Sequence, residues 1–143
     1  MKKNIKGFTF IEMMIAVLIL GILTSIAYPA YLRSVMKSNR TDARSELMDF
    51  QQRIQRCFTT NGTYVTGATA KCQVLDDLET GVATRAGMYM VQVSDISATG
   101  FTLSATGISK QADDKDCYVF SVNQAGVKTA RNKSGVDSTA ACW

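Results

Sequence analysis

From Met13 to Leu32 the chain runs for 20 residues without a charged side chain. A helix rises about 1.5 Å per residue, so such a stretch covers roughly 30 Å, the thickness of a bilayer's hydrocarbon core. Lys2, Lys3, Lys6 and Gly7 stand before it, and the apolar run proper begins at Phe8 with a single charge inside it, Glu12. A carboxylate in such a segment costs several kcal/mol unless it is paired, which makes Glu12 a functional residue by default.

A secretory signal places a short apolar core between a basic start and a small-residue cleavage site. Here no A-x-A-like site lies before Pro29, and the small residue Gly7 precedes the apolar run. A cut between Gly7 and Phe8 removes the lysines and leaves the whole hydrophobic helix on the mature protein. It also creates an α-amine on Phe8, one helical turn from Glu12. An ammonium and a carboxylate are two groups that neutralise each other in lipid.

The stretch KGFTFIEMMIAVLILGILTSIAYPAY resembles the prepilin signature of type IV pilins, with Gly7–Phe8 at the peptidase site and Glu12, Gly21 and Pro29 in the family's places. The resemblance implies cleavage by a prepilin peptidase, N-methylation of Phe8, and polymerisation into a helical filament in which Glu12 meets the Phe8 amine of a neighbouring subunit. It also implies a cytoplasmic N-terminus, a single pass through the bacterial inner membrane before assembly, and an extracellular pilus afterwards. The partners implied are other pilin subunits, the peptidase, the inner-membrane assembly machinery and membrane lipid.

Three segments are expected: a leader, 1–7; a membrane and assembly half-helix, 8–32; and a head domain, 33–143. The leader carries much of the charge, because removing its three lysines lowers the formal value from +4 to +1. Beyond about Phe58 roughly 85 residues remain, enough for one modest domain that benefits from covalent staples. The sequence has no histidine, which removes the commonest general base and zinc ligand; no enzyme, metal site or cofactor is expected.

Cys57, Cys72, Cys117 and Cys142 form an even set that reads as disulfides on the translocated side of a membrane. Neighbour pairing, Cys57–Cys72 and Cys117–Cys142, brackets one loop-like segment per bridge, and crossed pairings stay open. The second pair resembles the family's C-terminal bridge around a variable surface loop.

Ala43, Leu47, Phe50, Ile54 and Phe58 recur at steps of four and three, the stripe of an amphipathic helix, with Asp49 and Arg53 an i,i+4 pair on its other side. The spacing predicts one helix from Phe8 to about Phe58, on the order of 75 Å long, weakest at Gly21 and at Pro29, where a kink is expected. Asn61-Gly62 ends it. The chain to about Gly87 reads as a loop, with a short strand or turn near Val74–Leu78. Strands are expected at Met88–Ser94, Phe101–Ala105, Cys117–Val122 and around Val127–Thr129. The fold class is therefore α+β: a long N-terminal helix on a four-stranded antiparallel meander, the pilin fold.

Asp113, Asp114 and Asp116 read as a solvated hairpin loop in preference to a calcium site. Asn39-Arg40-Thr41, Asn61-Gly62-Thr63 and Asn132-Lys133-Ser134 match a glycosylation pattern that is common by chance. Lys128, Arg131 and Lys133 lie between Cys117 and Cys142, where three cations could hold a phosphate backbone, although no aromatic residue stands between Phe120 and Trp143 to stack on bases.

The SNRTDA stretch and the C-terminal DSTAACW resemble minor pilins of the PilE kind, subunits that support pilus assembly, twitching motility, adhesion or DNA uptake. The same group includes DNA-binding receptors of the ComP kind, which act in natural transformation; this is the alternative reading. A major pilin or a type II secretion pseudopilin is the second alternative.

Overall fold

The computed structural model describes residues 7–65 and 72–143. The chain divides between Val35 and Met36 into two compact units.

The first unit is helical. Helix α1 (Phe10–Asn61) begins in it, and every residue from Gly7 to Val35 is exposed. The hydroxyls of Thr24 and Ser25 donate to the carbonyls of Leu20 and Ile22, both at 2.7 Å. The polar side chains of an apolar stretch are thus satisfied inside the helix itself. The helix is continuous through Pro29, whose ring nitrogen has no N–H to offer the Ser25 carbonyl. The helix is long and apolar enough to cross a membrane.

The second unit packs the later part of α1 with a five-stranded antiparallel sheet in the order β1-β2-β3-β4-β5. The strands are β1 (Val82–Ala83), β2 (Tyr89–Ser94), β3 (Thr102–Gly107), β4 (Val119–Asn123) and β5 (Lys128–Arg131). Ala43, Leu47, Phe50 and Ile54, the expected stripe, are buried against inward residues of the sheet: Tyr89, Val91, Leu103, Ala105, Phe120, Val122 and Ala130. Register follows the same residues, because Val91 lies opposite Ala105, Ala105 opposite Phe120, and Phe120 opposite Ala130. One row of side chains therefore crosses four strands on the buried face. Phe58, the last residue of the stripe, stacks on Tyr64 at 4.4 Å, and Tyr64 meets Phe101 edge-on at 4.9 Å.

The structure corrects the sequence-based expectations in several places. The sheet has five strands and not four. The two-residue β1 pairs with Met90 and Val91, too short to leave an alternating pattern. The segment near Val74–Leu78 is neither strand nor turn but helix α2 (Gln73–Thr80), which buries Leu75 and Leu78. Those two residues are three apart, a spacing that one helical turn supports and an alternating strand does not. Residues 66–71 lie outside the described residues. Helix α1 starts at Phe10, two residues later than expected, and ends at Asn61, three later. A 3₁₀ turn (Ser109–Asp113) and a short helix, α3 (Thr139–Cys142), complete the fold.

The free edge at β5 is covered. The Ala130 N–H donates to Thr139 Oγ1 at 2.8 Å, and the Ser138 N–H donates to the Ala130 carbonyl at 2.9 Å. This segment shields edge groups that could otherwise pair with another strand.

Candidate functional site

Thr9 and Glu12 close the start of α1 reciprocally. The Glu12 N–H donates to Thr9 Oγ1 at 3.3 Å, and the Thr9 N–H donates to Glu12 Oε2 at 3.5 Å. This is a capping box: Thr9 is the N-cap, and Glu12 sits three residues on, where it also meets the positive end of the helix dipole. The cap explains why α1 starts at Phe10. Phe8 is 77% exposed, and a methyl group at Gly7 or Gly21 would meet nothing in this chain. Lys2, Lys3 and Lys6 lie outside the described residues.

In the head domain, one of the three aspartates expected in a solvated loop, Asp114, is buried, while Asp113 and Asp116 are exposed. Asp114 is 1% exposed and accepts a two-pronged bond from Arg40, Nε and Nη2 each at 2.7 Å. It also accepts N–H bonds from Asp116 and Cys117, both at 3.1 Å, and one from Gln111 Nε2 at 2.8 Å. Burial pushes this carboxyl up, but the Arg40 bond and the two backbone N–H groups outweigh it and hold it below the usual carboxylate range. The same bond holds the Arg40 guanidinium above its ordinary value. Asn39 Nδ2 donates to Gln111 Oε1 at 3.0 Å and Gln111 Nε2 to the Met36 carbonyl at 3.4 Å, so the 3₁₀ turn is tied to the first residues of this unit. Asp113 and Asp116 remain exposed beside Lys133 and Arg40.

Tyr89 OH donates to the Cys117 carbonyl at 3.0 Å, and burial pushes its phenol up to about 12. Cys57 is bonded to Cys72 and Cys117 to Cys142, with Cα atoms 5.8 and 5.7 Å apart. The second bridge closes 25 residues that contain β4, β5 and α3. Asn132 Oδ1 accepts N–H bonds from Ser134 and Val136, which commits that amide to the turn.

The three cations of this region do not form one patch. On β5 the exposure pattern puts Lys128 on the same face as buried Ala130, and Arg131 on the other. Lys133 Nζ donates to the Ala112 carbonyl at 2.6 Å and lies 3.9 Å from Asp113. Arg131 pairs with Asp137 through the backbone in an isolated β-bridge, and the Asp137 carboxyl is held below the usual range by the Thr139 N–H and hydroxyl, with the Arg131 charge assisting. Lys128 Nζ stands 5.0 Å from the centre of the Trp143 ring. The aromatic residues absent from the loop sequence are thus supplied from its ends: Trp143 beneath Lys128, and Tyr118 at 6.0 Å from Lys133.

Sequence reasoning missed Arg40, Arg44, Gln111 and Trp143. Arg44 Nη1 donates to the main-chain oxygens of Cys142 and Trp143 at 3.1 and 3.3 Å, and Nη2 to Thr41 Oγ1 at 3.0 Å. No local pattern marks a helix arginine for a segment almost 100 residues away.

A long N-terminal helix carrying a capped acidic residue, followed by an antiparallel sheet and two disulfides, defines the α+β pilin fold. The chain belongs to the family described as type IV minor pilin ComP, DNA uptake sequence receptor, which matches residues 29–121. The prokaryotic N-terminal methylation motif matches residues 2–28. The chain is thus a type IV minor pilin. Fimbrial protein EcpC of Eikenella corrodens is 28% identical over 121 residues, which span 80% of this chain and 73% of EcpC. A probable minor fimbrial protein of Dichelobacter nodosus is 34% identical over 70 residues, 49% of this chain and 44% of that one. The crystal structure of the Neisseria meningitidis non-core minor pilin PilV has the same fold, with a TM-score of 0.54 and 21% identity over 69% of this chain and 89% of that one. The match to the ComP family ends at Ser121, before β5.

Proposed function

We propose that the chain is made with a leader, residues 1–7, is cut by a prepilin peptidase between Gly7 and Phe8, is N-methylated on Phe8, and enters a pilus through its apolar helix. The observation that carries this reading is the wholly exposed, apolar segment Phe8–Val35 with Glu12 near its start. Such a surface needs lipid before assembly and neighbouring helices after it. The single pass in the inner membrane, the cytoplasmic N-terminus and transfer by the assembly machinery to an extracellular filament belong to the same proposal. Apolar packing gives cohesion, Gly21 leaves room for a close neighbour, Pro29 leaves a carbonyl that loosens the helix, and Glu12 sets register against a neighbour's Phe8 amine. Mass spectrometry of purified pili tests it: the polypeptide is expected to begin at N-methylated Phe8 and to be scarce beside the dominant subunit. A first residue other than Phe8 overturns the scheme.

A second reading, reception of DNA, is favoured by the description of the matched family together with an exposed lysine held over a tryptophan. The mature chain in detergent micelles is then expected to bind duplex DNA with an affinity that falls steeply with salt. No binding at low salt removes this reading and leaves the structural role intact.

A further inference from the structure

The head has two ends, and the sheet fixes each of them against α1. Gln51 Nε2 and Gln55 Nε2 donate to the carbonyls of Asn123 and Gln124 at 3.0 and 3.3 Å, so the end of β4 lies beside late α1. Gln111 and Asp114, which precede β4, bond Asn39 and Arg40, so the opposite end lies beside early α1. The chain enters this unit at Met36, four residues after the charge-free run ends at Leu32.

At the early-α1 end the acids are already matched. Arg40 takes Asp114 at 2.7 Å and Asp116 at 3.5 Å, and Lys133 lies 3.9 Å from Asp113. Arg131 and Asp137, paired in an isolated bridge, bring one charge of each sign. Glu46 pairs with Arg85 at 3.1 Å, and Asp42 accepts the Ala86 N–H. Lys37, Lys110 and Lys115 are left over: all three are exposed, and none forms an ion pair among the described residues. At the other end the surplus has the opposite sign. Asp76, Asp77 and Glu79 lie on α2, which the Cys57–Cys72 bridge ties to late α1, and Asp95 follows β2. These four acids are exposed and equally without an ion pair among the described residues. Against them stand Arg56 and, at the start of β5, Lys128.

We propose that the early-α1 end of the head docks, through Lys37, Lys110 and Lys115, on the anionic phosphate surface of the bilayer that holds the apolar helix. This docking presupposes the membrane stage proposed above and adds a contact of the head to it. Lys37 follows the last apolar residue of the run, Leu32, by five positions, so the tether keeps headgroups within reach at all times. The turn that carries Lys110 is held in place by Gln111, which is 1% exposed and bonded to Asn39, to the Met36 carbonyl and to Asp114. A surface that attracts the three lysines repels the acids of the other end, so attraction and repulsion favour one orientation. Each cation brought to such a surface raises the ratio of docked to undocked heads about fivefold. The attraction acts only within a screening length, so the contact yields to salt and to extraction of the subunit.

The chain supplies its own probe. Trp143 is its single tryptophan, fixed to the head by an Nε1–H bond to the Thr129 carbonyl at 2.7 Å and by edge-on contact with Phe120 at 5.7 Å. The full chain is reconstituted in vesicles of phosphatidylcholine alone or mixed with phosphatidylglycerol, and energy transfer from Trp143 to a headgroup-labelled lipid is read. Transfer is expected to be higher on the anionic vesicles at about 0.1 M salt and to fall to the neutral level at about 1 M, where the screening length shrinks from about 10 to 3 Å. Lys110→Gln with Lys115→Gln is expected to lower the docked ratio about 25-fold and remove the excess transfer. Lys110→Arg with Lys115→Arg is expected to keep it. Arg53→Gln with Arg56→Gln, the same loss of charge beside late α1, is expected to match the parent. Equal transfer on both vesicles, full transfer in the Lys110 and Lys115 glutamine variant, or the same loss in both glutamine pairs overturns the docking face. Flotation of the chain with both vesicles leaves the membrane stage standing in each of those cases. A chain that floats with neither overturns the membrane stage and the docking together.

Discussion

Thr9 and Glu12 exchange hydrogen bonds across the first turn of α1, so the carboxylate expected to meet a neighbouring subunit already serves its own helix. The bond to its oxygen is long, 3.5 Å, which leaves most of the acceptor capacity open. This dual role gives a clean separation of charge from cap. Glu12→Gln keeps a side chain that completes a capping box but removes the charge, whereas Glu12→Ala removes both. Both variants are expected to be cleaved, to remain in the membrane, and to be poorly incorporated into pili, as measured by the ratio of sheared to membrane-bound protein. Normal incorporation of Glu12→Gln would reduce the residue to a helix cap.

The Arg40–Asp114 pair predicts acid sensitivity of the head. The folded Asp114 carboxyl lies below its ordinary value of 3.8. Its stabilisation is therefore complete above that value and is lost as pH falls through the lower folded value. Thermal unfolding in micelles across about pH 2 to 5 is expected to show a falling midpoint in the parent and a flatter one in Asp114→Asn. Asp114→Ala is expected to cost about 3 kcal/mol at neutral pH, because it leaves Arg40 and two N–H groups without their partner.

The two bridges close loops of 15 and 25 residues. On chain-entropy grounds, replacing each pair by serine is expected to destabilise by roughly 3 and 3.5 kcal/mol respectively. Urea unfolding measures this directly. The larger loss belongs to Cys117–Cys142, which also holds Trp143 against β5.

Gly107 ends β3 beneath the 3₁₀ turn, where an added Cβ would lie 2.8 Å from the Gln111 carbonyl oxygen. Backbone cannot give way as a side-chain tip can, so Gly107→Ala is expected to cost about 1–3 kcal/mol by overpacking. The same variant shifts the turn that carries Gln111 and Asp114, so a lowered urea midpoint is expected with a weaker acid dependence.

How far the sequence determined this protein depends on the range of the forces involved. The apolar run, Gly7 before Phe8, the Ala43–Leu47–Phe50–Ile54 stripe and the alternating strands were all legible, because each is a periodicity or a spacing within one element. The salt bridge at 2.7 Å between Asp49 and Arg53 was legible for the same reason. Only the tertiary structure decided that Asp114 is buried under Arg40, that Trp143 lies beneath Lys128, and that Lys128 and Arg131 point to opposite faces of one strand. These depend on which element packs on which, over separations of up to 74 residues for Arg40 and Asp114. A charge's worth is set by its neighbours in space, and a chain written as a line does not name them.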